Sequence, residues 1–151
     1  MEWDKLFKKY VADEVKTPYL VSVERLTRTQ ARYELFVYTL FLGVLFAVVG
    51  VASLSDDLPH GRALGVPLYA FAMVWAAGLF GVTKATFAAT FCASAPVAAL
   101  LYLVVFGFHP NLGPLDKMLL IAVLLIWLRY SWRILSIAKA FPDMPDPEEP
   151  S

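Results

Sequence analysis

Long apolar blocks alternate with short polar connections along most of this chain of 151 residues. Four blocks are long enough for a helix to cross the hydrocarbon of a bilayer, which takes about 20 residues. Because backbone amides in lipid need hydrogen-bond partners within their own segment, these blocks predict helices rather than open strands. The predicted spans cover residues 35–54, 63–82, 85–108 and 115–134.

The pattern therefore predicts an all-α, polytopic integral membrane protein with four transmembrane helices in an antiparallel bundle. We expect residues 1–34 to form a cytoplasmic amphipathic segment and residues 35–138 to form the transmembrane domain. Residues 139–151 alternate proline with acidic side chains, which is typical of a short disordered tail. A solvated tail is the simpler interpretation of this composition, and an acidic docking tag is the alternative.

The first residues form an apolar stripe at helical spacing, with lysines elsewhere around the helix. Such an amphipathic helix on a membrane protein lies in the cytoplasmic interface with its lysines toward lipid headgroups. Alternatively, the stripe docks on another subunit. Proline at position 18 disfavours helix in the residue before it. The stripe consists of Trp3, Leu6, Phe7, Tyr10 and Val11.

A capping box is predicted just before the first span. Gln30 follows Thr27 by three residues. At this spacing the two side chains can accept hydrogen bonds from the free backbone amides of a helix start. Leu26 and Ala31 are placed to pack against each other across this start. We expect the first helix to begin near Arg28, about two turns before the apolar block.

Basic residues are distributed unevenly between the two ends of the predicted bundle. Of the 13 Lys and Arg residues, only Arg62 and Lys117 fall on the side of the first and third connections, and eleven fall on the other side. Since Lys and Arg are enriched in cytoplasmic segments, both termini are predicted to be cytoplasmic. Residues 56–62 and 109–117 are then outside.

Composition supports a membrane class and little else. Hydrophobic residues make up 59% of the chain and charged residues 17%, whereas soluble domains are nearer half and a quarter. The formal net charge is zero, so nothing points to nucleic acid. The lone Cys92 rules out an intrachain disulfide. The layout is similar to that of many small polytopic inner-membrane proteins of bacteria, so the inner (plasma) membrane is the expected location.

Two arginines, Arg129 and Arg133, lie near the end of the fourth span, beside the aromatic residues Trp127, Tyr130 and Trp132. The simpler interpretation is a membrane boundary, with aromatic side chains at headgroup depth and an arginine that extends toward water. The alternative is a cationic pocket that binds a lipid phosphate or Glu34. The two interpretations are compatible.

Small residues at four-residue spacing predict close packing of the second and third spans, because small side chains let helix backbones approach in lipid. These two spans are expected to form the centre of the bundle. Pro96 is expected to kink the third span. The predicted packing positions are Ala72, Ala76, Ala85, Ala89 and Ala93.

The two outer connections resemble each other. Both run from a histidine through Leu-Gly to Pro-Leu, which is consistent with a duplicated hairpin or with turn chemistry alone. His60 and His109 are the only histidines. They predict either a metal or pH-sensing site or two solvent-exposed loop residues.

No catalytic motif is present, and no cofactor is expected. The sequence favours a non-enzymatic accessory, assembly or scaffold subunit that contacts the bilayer and either other membrane subunits or copies of itself. A small homo-oligomeric channel or carrier is one alternative. A lipid-binding or metal-binding membrane protein is the other.

Overall fold

The computed structural model describes residue 19 and residues 21–146, and every regular element in this part of the chain is helical. Four stretches are long and apolar enough to span a membrane: 28–52, 65–83, 86–106 and 114–143. The four predicted blocks are therefore confirmed as helices. The predicted N-terminal helix with Trp3, Phe7 and Tyr10 lies outside the described residues.

Five helices make up these stretches, because the third stretch is broken in two. A 3-10 turn at Val23–Arg25 precedes them, and another at Phe141–Asp143 ends the fourth stretch. The helices are α1 (Arg28–Ala52), α2 (Gly65–Thr83), α3 (Thr86–Ala93), α4 (Ala95–Phe106) and α5 (Pro114–Ala140).

The predicted capping box starts α1. The Thr27 hydroxyl accepts a hydrogen bond from the Gln30 amide at 3.3 Å, and the Gln30 side-chain oxygen accepts one from the Thr27 amide at 3.0 Å. Leu26 and Ala31 are both buried, as expected for side chains that pack across the helix start. The capping box therefore fixes the start of α1 at Arg28.

The third span breaks at Ser94, two residues before the proline of the predicted kink. Pro96 is the second residue of α4, where its ring is compatible with helix but prevents a continuous hydrogen-bond ladder from α3. The Ser94 hydroxyl donates to the Phe91 carbonyl at 2.6 Å and lies 2.8 Å from the Tyr69 hydroxyl on α2. The break is thus bonded to a neighbouring helix.

Helix packing forms a closed circuit in which α1 contacts α2, α2 contacts α3, α3 contacts α5 and α5 contacts α1. The half-helix α4 packs mainly on α5. The prediction that the second and third spans form the centre of the bundle is wrong. The most extensive contact between two helices is that of α1 with α2. Core side chains from all four spans include Leu35, Leu42, Met73, Phe80, Cys92 and Ile134.

The predicted small-residue stripe is only partly buried. Ala89 is buried, Ala76, Ala85 and Ala93 are half-buried, and Ala72 is exposed. The second span has small residues on several faces, so spacing alone did not identify the packed one. Its buried face consists of Pro67, Ala70, Met73, Ala77 and Phe80.

The first part of the predicted disordered tail is folded. Helix α5 continues to Ala140, and Met144 is buried in the same core cluster as Leu26. The Arg28 amide donates to the Pro145 carbonyl at 2.9 Å, and the Arg28 guanidinium lies 3.2 Å from Asp146. One apolar side chain among the prolines and acids therefore anchors the tail as far as Asp146.

Replacing Thr27 with Ala tests the capping box. Loss of the hydroxyl leaves the Gln30 amide without its acceptor, so we expect the free energy of unfolding to fall by about 1 kcal/mol. Titration of detergent-solubilised protein with sodium dodecyl sulfate, followed by circular dichroism, measures the change. The matched variant Thr29→Ala should unfold like the wild type, and equal loss in both variants would contradict the assignment.

Candidate functional site

Glu34 lies on the buried stripe of α1, with only 1% of its surface exposed. Ala31 and Tyr38 lie one helical turn before and after it on this stripe, and the buried Leu35 directly follows it. A carboxylate in such a position needs a counter-charge and hydrogen-bond donors, because its transfer from water is costly. The surrounding helices provide both.

Arg133 of α5 supplies the counter-charge. Its Nε donates to Glu34 Oε1 at 2.7 Å, and its Nη2 donates to Glu34 Oε2 at 3.0 Å. Its Nη1 donates to the Val21 carbonyl at 2.6 Å, in the segment before α1. Two parallel bonds between guanidinium and carboxylate fix geometry as well as charge. Arg133 thus joins α1, α5 and the preceding segment.

Two tyrosines extend this network. The Tyr130 hydroxyl donates to Glu34 Oε1 at 3.0 Å, and the Tyr38 hydroxyl lies 2.9 Å from the buried Ser131 hydroxyl. The rings of Tyr38 and Tyr130 are 5.9 Å apart. We call the set Glu34, Arg133, Tyr130, Tyr38 and Ser131 the Glu34 cluster. The end of the bundle where it lies, where α1 begins and α5 ends, is the Glu34 end.

The two arginines of the predicted cationic pocket have separate environments. Arg133 binds Glu34, as one of the two interpretations proposed, but Arg129 is exposed and bonds to none of the described residues. The aromatic residues predicted to lie at headgroup depth also differ in their environments. Trp132 is 66% exposed, whereas Trp127 packs edge-on against Phe41.

The charge of Glu34 also acts on Tyr19, in the segment before α1. Burial, together with the negative charge of Glu34, raises the pKa of the Tyr19 phenol. This shift favours the neutral phenol, so the hydroxyl retains its proton beside the carboxylate. Tyr19 therefore belongs to the electrostatic surroundings of Glu34.

His60 occupies the opposite end of the bundle and is only 6% exposed. Its Nε2 lies 3.0 Å from the Ser53 carbonyl, and its Nδ1 lies 2.8 Å from the Tyr102 hydroxyl. Since a carbonyl only accepts, Nε2 carries the proton, and in the neutral ring Nδ1 accepts from Tyr102. The prediction of an exposed loop residue is therefore wrong for His60, because Tyr102 and Phe106 pack against its ring.

The predicted metal-ligand pair is not assembled in the described part of the chain. Both ring nitrogens of His60 are hydrogen-bonded, and the half-buried His109 accepts a bond from the Asn111 amide at 3.3 Å. Residues 19 and 21–146 contain no group of three or more His, Cys, Asp or Glu side chains placed to hold a metal. His60 has no free lone pair to offer.

Sequence reasoning located the charged residues of the site but not their burial. Glu34 could have been recognised from its place on the stripe that runs through Ala31, Leu35 and Tyr38. The hydrogen bonds of Tyr130 and Ser131 had no such signal, because tyrosine and serine are common near membrane boundaries without a specific partner.

Comparison with known proteins adds no assignment: no protein-family model, curated protein or solved structure matches the chain. The chemistry of the site rests on its own geometry.

Replacing Glu34 with Gln tests the buried ion pair. Removal of one charge leaves the Arg133 guanidinium without its counter-ion, so the free energy of unfolding should fall by roughly 3–5 kcal/mol. The double variant Glu34→Leu with Arg133→Met removes both charges and should recover most of this loss. Detergent titration followed by circular dichroism measures all variants.

Arg129→Gln provides the matched control for this experiment. It removes an arginine from the same helix, but Arg129 has no described partner, so stability in lipid-free micelles should change by less than about 0.5 kcal/mol. A Glu34→Gln variant as stable as Arg129→Gln would show that the ion pair does not hold the bundle together.

Proposed function

We propose that this chain is a four-span protein of the inner (plasma) membrane that serves as a non-enzymatic accessory, assembly or scaffold subunit of a larger membrane complex. Membrane insertion is supported by the length and apolar character of the four stretches. Trp75, Val82 and Val104 are each more than four-fifths exposed. Large apolar side chains on the outside of every span are stable against lipid and unstable in water.

Orientation follows from charge. With the helices antiparallel, seven basic residues of the described part of the chain lie at the Glu34 end, and Arg62 and Lys117 lie at the opposite end. The positive-inside rule then assigns the Glu34 end, with both termini, to the cytoplasm. The connections that contain His60 and His109 are outside.

The subunit role rests on one observation: the buried carboxylate of Glu34 and the buried imidazole of His60 are both fully hydrogen-bonded within the chain. Glu34 is saturated by Arg133 and Tyr130, and His60 uses both ring nitrogens. A catalytic or transport site needs a reactive or charged group that faces a substrate-sized cavity. Glu34 and His60 instead hold segments of this chain together.

The outer face of α1 is suited to a partner helix. It forms a shallow concavity of about 460 Å³ with an entirely apolar surface. In lipid, helices associate through shape complementarity and van der Waals contact, since the lipid tails are equally apolar. The amphipathic N-terminal segment and α5 are further proposed contact surfaces. The concavity is lined by Val37, Leu40, Phe41, Val44, Leu45 and Val48.

Affinity purification in mild detergent tests this role. Wild-type protein should retain companion subunits in fixed stoichiometry, as measured by quantitative mass spectrometry. Val44→Trp fills the concavity and should release them. Val104→Trp changes an equally apolar, exposed position on α4 and should retain them. A monomer without companions in all three samples would contradict the proposal.

A homo-oligomeric channel or carrier is the second candidate, favoured by the interruption of the third span at Ser94. Discontinuous helices form the substrate sites of many transporters. Reconstituted vesicles should then show flux of ions or small solutes above that of protein-free vesicles, and Ser94→Ala, which removes the hydroxyl at the break, should alter it. Flux equal to that of empty vesicles removes this candidate.

A further inference from the structure

Arg129 is a charged side chain on the outside of a membrane-spanning helix. Its exposed neighbours on α5 are apolar, including Leu125 and Ile126 one turn away. None of the described carboxylates lies within ion-pair distance of it, and Glu34 is already occupied by Arg133. Since an uncompensated arginine in a span is costly, Arg129 either extends to the aqueous boundary or meets a counter-charge from outside this part of the chain.

The depth of Arg129 places it near headgroups. Glu34 immediately precedes the apolar block of α1, and its bond to Arg133 shows that the two residues lie at the same level. Arg129 is one turn of α5 further into the bilayer, about 6 Å at the rise of an α-helix. An arginine at this depth meets a lipid phosphate by extending its side chain and by local thinning of the bilayer.

The Glu34 end presents further positive charge. Arg25, Arg32 and Lys139 are exposed and have no carboxylate partner among the described residues. Burial, together with the positive charge of Arg32, lowers the pKa of Lys84. A face of this kind attracts anionic lipids of the cytoplasmic leaflet.

A shallow groove of about 190 Å³ lies next to the Glu34 cluster, with Ser131 among its lining residues. Trp132 forms one wall of it and is three residues from Arg129, so the two side chains are neighbours on the same side of α5. The groove runs between α5 and the broken third span and has an almost wholly apolar surface. Its other lining residues include Ala93, Ser94, Val97, Leu128 and Leu135.

We propose that Arg129 binds the phosphate of an anionic phospholipid from the cytoplasmic leaflet, whose acyl chain occupies the groove beside Trp132. This inference rests on the membrane insertion and orientation proposed above. A carboxylate on a partner helix is the competing counter-ion. The lipid is favoured by the position one turn from the boundary, by the exposed tryptophan and by the positive surroundings. Arg133 is excluded as the lipid ligand because Glu34 already neutralises it.

Lipid retention tests the assignment. Wild-type protein, Arg129→Ala and Arg62→Ala are reconstituted in vesicles of equimolar phosphatidylglycerol and phosphatidylcholine, then extracted in mild detergent. Mass spectrometry measures the ratio of the two lipids that remain bound. Wild type should retain phosphatidylglycerol in excess over phosphatidylcholine. In Arg129→Ala this excess should be about five-fold smaller, which is the factor expected for one basic side chain near an anionic surface.

Arg62→Ala is the matched control, since it removes an exposed arginine that is already paired with Asp56 at the opposite end of the bundle. It should keep most of the enrichment. Equal losses in the two variants, or no enrichment in wild type, would overturn a specific site at Arg129. Companion subunits lost from Arg129→Ala with the lipid ratio unchanged would assign the counter-ion to a partner carboxylate and also overturn it.

Two further measurements separate this inference from the proposed function. Wild-type protein that is washed off vesicles by alkaline carbonate is not inserted, and the membrane proposal itself then fails. Circular dichroism of Arg129→Ala in lipid-free micelles should match wild type, because Arg129 bonds to none of the described residues. An unfolded Arg129→Ala would assign the arginine a structural role and overturn its assignment to lipid.

Discussion

A charge inside an apolar bundle needs an opposite charge, and this requirement organises the Glu34 end. Glu34 lies where α1 would otherwise present a leucine or alanine to the core. Arg133 meets it with two parallel hydrogen bonds and uses its remaining nitrogen for the Val21 carbonyl. One guanidinium therefore sets the relative position of the first helix, the last helix and the chain before them.

Other polar side chains are also paired across the bundle. Tyr38 and Ser131 bond across α1 and α5, and Tyr69 and Ser94 bond across α2 and the break in the third span. His60, in the first connection, joins Ser53 at the end of α1 to Tyr102 on α4. Each of the bonds between two side chains links segments that are distant in sequence. In a membrane, such contacts would specify which helix faces lie together more than they supply net stability, because the same groups also find partners in the unfolded state. A frame of this kind suits a subunit that holds other proteins in place.

The sequence predicted the features that depend on local physics. Block length identified the four spans, Thr27 and Gln30 identified the start of α1, and Pro96 identified the break in the third span. Each of these signals acts within a turn or two of the chain. The pairing of Glu34 with Arg133 was available as an alternative because both residues fall at the same end of the predicted bundle.

Features that depend on contacts between distant segments were not predictable. Ala72 and Ala77 have similar local surroundings, and only the position of α1 decides which of them is buried. His60 was expected in solvent because nothing near it in sequence indicates Tyr102. Met144 appeared to belong to a polar tail, and only the core around Leu26 explains its burial. The central claim is that these contacts close a bundle whose Glu34 end faces the cytoplasm. The most direct test replaces Cys92, the single cysteine, with Ala and introduces one cysteine at Ser22 or at Ser55. In intact cells a membrane-impermeant maleimide should label Ser55→Cys and leave Ser22→Cys unlabelled until the membrane is opened. The reverse pattern, or equal labelling of both, would contradict this account.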